Sequence, residues 1–264
     1  MNRGTLYSRI QGFLQSKGEY IIFIDSDDIV LKEGLYNAYN YIKKNQISIV
    51  QFNTIFQTNN SLIISTRYYK YNIIIKQPIL SYIFFFNEKT KKGDELNTAL
   101  WDKLIQRETI NKIVYFIGHY YFNEKIEIEN DVIILFSLFR NADTYQYINE
   151  TGYYYISTHN NSISNSWKLR DNKSSIVHGI FLNINFLYKR SGNSFLDKLF
   201  CIFKLQQSFL RYLICFVNAK SEYPLMEKVF KLLLSSKYIE YEDKNIISNI
   251  YSAISLFYNK KCLI

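Results

Sequence analysis

Leu6, Ile10, Phe13 and Leu14 recur at the spacing of one helical face, and Gly18 ends that run before an unbroken apolar stretch at residues 20–24. A strand with no polar alternation is expected to be covered on both faces, as in a mostly parallel sheet between helix layers. Leu31, Leu35, Ala38, Tyr39 and Ile42 predict a second helix closing near Lys43-Lys44-Asn45, and residues 47–52 supply the next strand. The preference for right-handed crossovers predicts that these two strands pair in parallel. From Asn53 to Lys92 the pattern is irregular, with short apolar runs at 62–65 and 79–86. A helix is predicted over 98–113 and another opens at Asn130-Asp131, followed by a strand at 145–149 and an aromatic segment at 153–155. The last hundred residues read as helices over 176–189, 195–217, 225–234 and 246–258.

Composition narrows this picture. With 48% hydrophobic residues but only 2 Pro and 9 Gly in 264, most of the chain is expected to fold rather than serve as linker. The 24 Tyr and 20 Phe accompany abundant Ile, Asn and Lys, so they are not read as a base-stacking surface, and no nucleic-acid partner is expected. The net charge of +9 is unevenly placed: residues 166–264 hold 15 Lys/Arg against 7 Asp/Glu, whereas 1–165 are nearly balanced at 17 against 16. That asymmetry marks a boundary near residue 165, with a basic helical extension behind it. In residues 195–217 an apolar stripe of Leu196, Leu199, Phe200, Phe203, Leu210, Leu213, Ile214 and Val217 stands apart from Lys198, Lys204 and Arg211. It reads as a core-facing helix, with a membrane-surface helix as the alternative. Cys201, Cys215 and Cys262 are too dispersed for a disulfide framework or zinc knuckle. The chain opens without an apolar leader and holds no stretch long enough to span a bilayer. It therefore reads as cytoplasmic, peripheral to a membrane only under that alternative.

The chemistry concentrates where the 20–24 run ends in Asp25-Ser26-Asp27-Asp28. Ligands of open α/β sheets sit beyond the carboxyl ends of strands, and clustered carboxylates there suit a hard divalent cation with phosphate. Taken alone the turn reads first as a cap for the following helix, because Asp and Ser are ordinary N-cap residues.

The flanking residues favour the cation site instead. Asn2-x-Gly4, Arg9-x-x-Gly12, Lys17-Gly18-Glu19-Tyr20 and Asp25-Ser26-Asp27-Asp28 stand in the order and spacing of motifs in family 2 glycosyltransferases of the GT-A fold, which this chain resembles over residues 2–165. Trp101-Asp102-Lys103-Leu104 is similar to the family's Trp-x-Lys-Leu segment and Glu129-Asn130-Asp131-Val132 to its acidic pair before a helix. Tyr153-Tyr154-Tyr155 and Ser162-Ile163-Ser164 are similar to its closing segment. Ile10, Ser16, Asn130 and Ile156 depart from the usual Asn, Ala, acid and Arg.

The resemblance implies a GT-A-like, Rossmann-like α/β domain with a mostly parallel sheet over 1–165, followed by the helical extension over 166–264. Its nucleotide-binding strands would lie upstream of Met1, so the domain is expected to be N-terminally incomplete. It also implies an inverting transfer of sugar from a nucleotide-sugar donor to a glycan or other hydroxyl acceptor, with manganese or magnesium as cofactor. Asp27 would then be the metal ligand, with Asp25, Asp28 and Arg9 on the donor side. Asp131 would be the general base, with Glu129 as its substitute, and Trp101 and Lys103 would face the acceptor. His159 reads as an exposed loop residue rather than a further metal ligand. Two alternatives stand beside this reading: an inactive remnant that binds or interacts without catalysis, and a phosphotransfer enzyme with Asp25 as nucleophile.

Overall fold

The structure is a computed structural model that describes residues 3–57, 61–65, 73–77, 99–118, 126, 130–156, 173–190 and 223–235, and a few positions between 244 and 252. The elements in chain order are α1 (Thr5–Gln15), β1 (Tyr20–Ile21), β2 (Ile29–Val30), α2 (Lys32–Asn45), β3 (Ile49–Gln57), β4 (Leu62–Ser65), β5 (Ile75–Lys76) and β6 (Lys103–Gln106). They continue with α3 (Arg107–Ile117), α4 (Asn130–Asn141), β7 (Thr144–Ile156), α5 (Lys173–Arg190) and α6 (Tyr223–Leu234). The predicted segments at 79–86 and 195–217, and the three cysteines, lie outside the described residues.

Two long strands, β3 and β7, form the centre of the sheet, whose order is β1-β6-β3-β7-β2. The β3/β7 pair is parallel, but every other described pairing is antiparallel, so the sheet is mixed rather than mostly parallel. The expected pairing of the first two apolar strands is replaced by an interposed strand. Residues 103–106, expected to be helical, form β6 between β1 and β3, with Ile105 opposite both Ile21 and Ile49. β1 and β3 therefore still run in the same direction, one strand apart. Leu104 and Ile105 feed opposite faces of the sheet, which a strand satisfies and a helix could not. The predicted helix begins only afterwards, as α3.

Helices cover both faces. On one, α2 packs Ala38 and Ile42 against Val50, Phe52, Leu104, Ile148 and Tyr153. This contact is close because Gly34 brings the helix against the Thr151 carbonyl, where a Cβ would stand 1.9 Å from the oxygen. On the other face, α1, α3 and α4 bury Leu6, Ile10, Phe13, Ile110 and Ile113 against Ile21, Ile49, Ile105, Tyr145 and Tyr147. α4 is apolar all round, with Val132 to Phe139 all buried, because it lies inside the helix layer with α5 packed on it and α6 on α5. Val177, Phe181, Phe186, Met226 and Phe230 thus join the same core as Leu6 and Ile49. Burial contributes about 1.5–3 kcal/mol for each such large side chain.

Residues 20–24 are less covered than the unbroken apolar run predicts. β1 ends at Ile21, and Ile24 is 52% exposed. The cause is topological: β1 and β2 occupy opposite edges of the described sheet, so residues 22–28 leave the hydrogen-bonded ladder and cross between them. Leu14, placed on the buried face of α1 by its spacing, is likewise exposed.

Candidate functional site around the acidic turn

The acidic turn closes on itself and is then tied to the far end of β7. The Asp28 N–H donates to the Asp25 carbonyl at 3.2 Å. The Tyr153 hydroxyl accepts from the Asp25 N–H at 3.1 Å and donates to Asp28 Oδ2 at 2.8 Å, while Asp28 Oδ1 accepts from the Ile156 N–H at 2.9 Å. Just beyond the turn, the Leu31 N–H donates to the Gly152 carbonyl and β2 pairs with Tyr153 and Tyr154. The turn therefore sits against the carboxyl end of the central parallel strand β7, the kind of position expected from the sequence.

The three acids are held differently. Asp25 Oδ1 is 3.2 Å from Arg9 Nη2 on α1, and the other guanidinium nitrogen pairs with Asp131 and bonds Asn130 at the start of α4. Arg9 thus bridges the acidic turn and the first turn of α4, joining Asp25 to Asn130 and Asp131, which lie far from it in sequence. Asp28 is half-buried with both oxygens accepting hydrogen bonds. Burial raises its pKa above the ordinary carboxylate value, opposed by the Ile156 N–H and the Tyr153 hydroxyl. Asp27 is exposed and makes no hydrogen bond or ion pair among the described residues.

Trp101 and Lys103, expected to face an acceptor, are placed in the interior. Trp101 stacks on Tyr153 with ring centroids 4.8 Å apart and on Tyr155 at 5.6 Å, leaving little of the indole exposed. Lys103 is fully buried, with its ammonium 2.6 Å from both Asp102 Oδ1 and the Ala99 carbonyl. Asp102 Oδ2 accepts from the Gln51 amide at 2.6 Å, and the Tyr145 hydroxyl donates to the other end of Gln51. The expected acceptor roles are therefore corrected: a lysine with no exposed surface, committed to an ion pair, has no side chain to offer a ligand. Glu129 and His159 lie outside the described residues.

Sequence reasoning assigned no role to Tyr153, although its hydroxyl meets both ends of the acidic turn. The available signal was its place two residues from Tyr155 on one strand face, directly after Gly152. Gly152 is required there because a Cβ would meet the Phe52 ring at 2.8 Å. Burial also raises the Tyr153 pKa, and neighbouring Asp28 and Asp25 add to the rise, so the hydroxyl stays protonated as a donor. Tyr155 is raised as well, first by burial and then by the same acids. Among the described residues, no three His, Cys, Asp or Glu side chains converge as a complete metal cage.

Comparison with known proteins bears on this geometry. The sequence model of the family described as glycosyl transferase family 2 matches residues 1–120. A cholesterol galactosyltransferase of Borreliella burgdorferi is 27% identical over 201 residues, covering 72% of this chain and 51% of its own length. The poly(ribitol-phosphate) beta-N-acetylglucosaminyltransferase TarP of Staphylococcus aureus is 26% identical over 181 residues, covering 69% and 49% respectively. The chain thus spans about half the length of the curated relatives it matches. Among solved structures, S. aureus TarS 1–349 aligns over 98% of this chain and 72% of its own, with a TM-score of 0.53 at 14% identity. The complex of TarS 1–349 with UDP-GlcNAc aligns over 98% and 73%, with a TM-score of 0.56 at 13% identity. These likenesses establish a shared GT-A-like α/β fold, and over residues 1–120 the sequence is similar to glycosyl transferase family 2.

Proposed function

We propose that this chain takes part in transferring a sugar from a nucleoside-diphosphate donor to an acceptor hydroxyl, with inversion at the anomeric carbon and with a divalent cation at Asp27. The observation that carries this reading is the division of labour in the acidic turn. Asp25 and Asp28 are bound into the fold, whereas the Asp27 carboxylate faces outward with its oxygens unengaged among the described residues. The donor set fits a hard cation. Magnesium or manganese in phosphate-binding sites takes one or two carboxylates, with phosphate oxygens and water completing the shell, and needs no all-protein cage. Bound there, the ion would offset the charge that develops on the departing diphosphate.

The remaining work falls to the chain's own groups. Asp131, at the N-terminus of α4, is the proposed base: it accepts the acceptor's proton as the hydroxyl oxygen bonds to the anomeric carbon and the bond to the diphosphate breaks. Its side chain is partly exposed and is oriented by Arg9, which also holds Asp25, so donor and acceptor halves of the site share one guanidinium. UDP-GlcNAc, carried by the TarS complex of the same fold, is the donor to try first. The test is thermal denaturation with UDP and manganese. The wild type is expected to melt at higher temperature with both present, by mass action on the folded state, and Asp27→Ala is expected to lose the shift. A wild type whose melting is indifferent to UDP and manganese would overturn the reading.

A further inference from the structure

We propose that Tyr153 is a positioning residue for the cation site, its hydroxyl pinning both ends of the acidic turn so that Asp27 is presented in one direction before any ligand arrives. This rests on the reading of Asp27 given above and adds a residue and a cause to it. The geometry is specific. One oxygen atom accepts the Asp25 N–H and donates to Asp28, and the Asp28 N–H returns to the Asp25 carbonyl, so the four-residue turn closes through its backbone and again through the phenol. Only Ser26 and Asp27 lie between the pinned ends, and both are exposed.

The phenol can serve as an anchor because it is itself immobilised. The Tyr153 ring is fully buried on the central strand, stacked face to face on Trp101 at an interplanar angle of 13°. Trp101 is in turn met edge-on by Phe56. Trp101 therefore reaches the site through Tyr153 rather than by touching a ligand. Asp28, expected on the donor side, becomes the anchor point of the turn. A site whose carboxylate is already aimed loses less conformational entropy on binding than one that must order four residues.

The experiment is a UDP titration with manganese and again with EDTA, on wild type, Tyr153→Phe, Asp28→Asn and the double variant, well below their melting temperatures. Tyr153→Phe keeps the ring stack and removes only the hydroxyl. It is expected to weaken UDP binding in manganese about tenfold, as for loss of one hydrogen bond to a charged group, while binding in EDTA is unchanged. Asp28→Asn is expected to lose a similar amount, and the double variant no more than the larger single loss, because both remove the same bond. Tyr154→Phe, whose hydroxyl reaches Gln57, is the control and should bind as wild type. A hydroxyl with a merely structural role would lower the melting temperature yet leave manganese-dependent binding intact, which overturns the proposal; additive losses in the cycle overturn it as well. A wild type with no manganese-dependent binding would bring down this proposal and the functional reading together, whereas wild-type binding unaffected by Tyr153→Phe sinks this proposal alone.

Discussion

Asp102, just before β6, and Asp27, in the turn after β1, are carboxylates in the same α/β layer with opposite fates. Asp102 is fully buried, with Oδ1 on the Lys103 ammonium and Oδ2 on the Gln51 amide. Asp27 is exposed and makes no hydrogen bond or ion pair among the described residues. The contrast teaches that an acid's chemistry is set by what the fold leaves unspent. Desolvation makes a buried charge costly unless every lone pair is met, so Asp102 is committed to structure. An exposed carboxylate beside pinned neighbours costs little to keep and remains able to bind.

The sharpest way to break this contrast is to remove the partner of the buried acid. Lys103→Met would leave Asp102 without its cation in the interior, a change that costs about 3–5 kcal/mol. Urea denaturation should show that loss, and the folded fraction should still bind UDP with manganese. Converting the pair together, Lys103→Met with Asp102→Leu, should recover much of the stability. Recovery would show that the single variant suffers from a stranded charge rather than from lost packing.

Gly34→Ala tests the link between the two regions with a smaller perturbation. The new Cβ would collide with the Thr151 backbone, which cannot rotate away, so α2 or β7 must shift, at about 1–3 kcal/mol by analogy with overpacked cores. Thr151 lies two residues before Tyr153 on the strand that pins the acidic turn. Unlike Lys103→Met, this variant should therefore lose stability and manganese-dependent UDP binding together, as read by urea denaturation and titration.

These cases also show how far the sequence could be read. α1, α2 and α4 were legible because their apolar positions recur at helical spacing, and the acidic turn because its acids follow an apolar run without interruption. β6 was not. Leu104 and Ile105 suit a helix as well as a strand, and only the vacant place between β1 and β3 decides between them. Lys103 could not be placed either, since a lysine beside a tryptophan looks the same in sequence whether its ammonium is in solvent or in an ion pair. Tyr153 was hidden among neighbouring tyrosines of identical composition, and its role depends on a turn about 125 residues earlier, a separation no local pattern records.

A gentler effect should appear with pH. Burial raises the Asp28 pKa in the folded protein, so the folded state holds this proton to higher pH than the unfolded chain does. Stability from this group is then fullest below the unfolded value and declines as pH rises through the folded one, the reverse of a salt-bridged acid. Chemical denaturation of the metal-free protein across the acidic range should show this downward contribution in the wild type. Asp28→Asn, which cannot titrate, should lack it.

The smallest expected change in stability comes from Asp27→Asn, and that is what gives the variant its value. Since the carboxylate makes no bond among the described residues, an isosteric amide removes no interaction that holds the fold, and the urea midpoint should stay within about 0.5 kcal/mol of wild type. Any shift should be upward, because Asp25, Asp27 and Asp28 lie within one turn and neutralising the middle acid relieves like-charge repulsion. The same amide carries no charge to hold a divalent ion, so manganese-dependent UDP binding should disappear from a protein that is otherwise as stable as before. A large loss of stability would mean that Asp27 is bound into the structure as Asp102 is, and the contrast between the two carboxylates would fail at its exposed end.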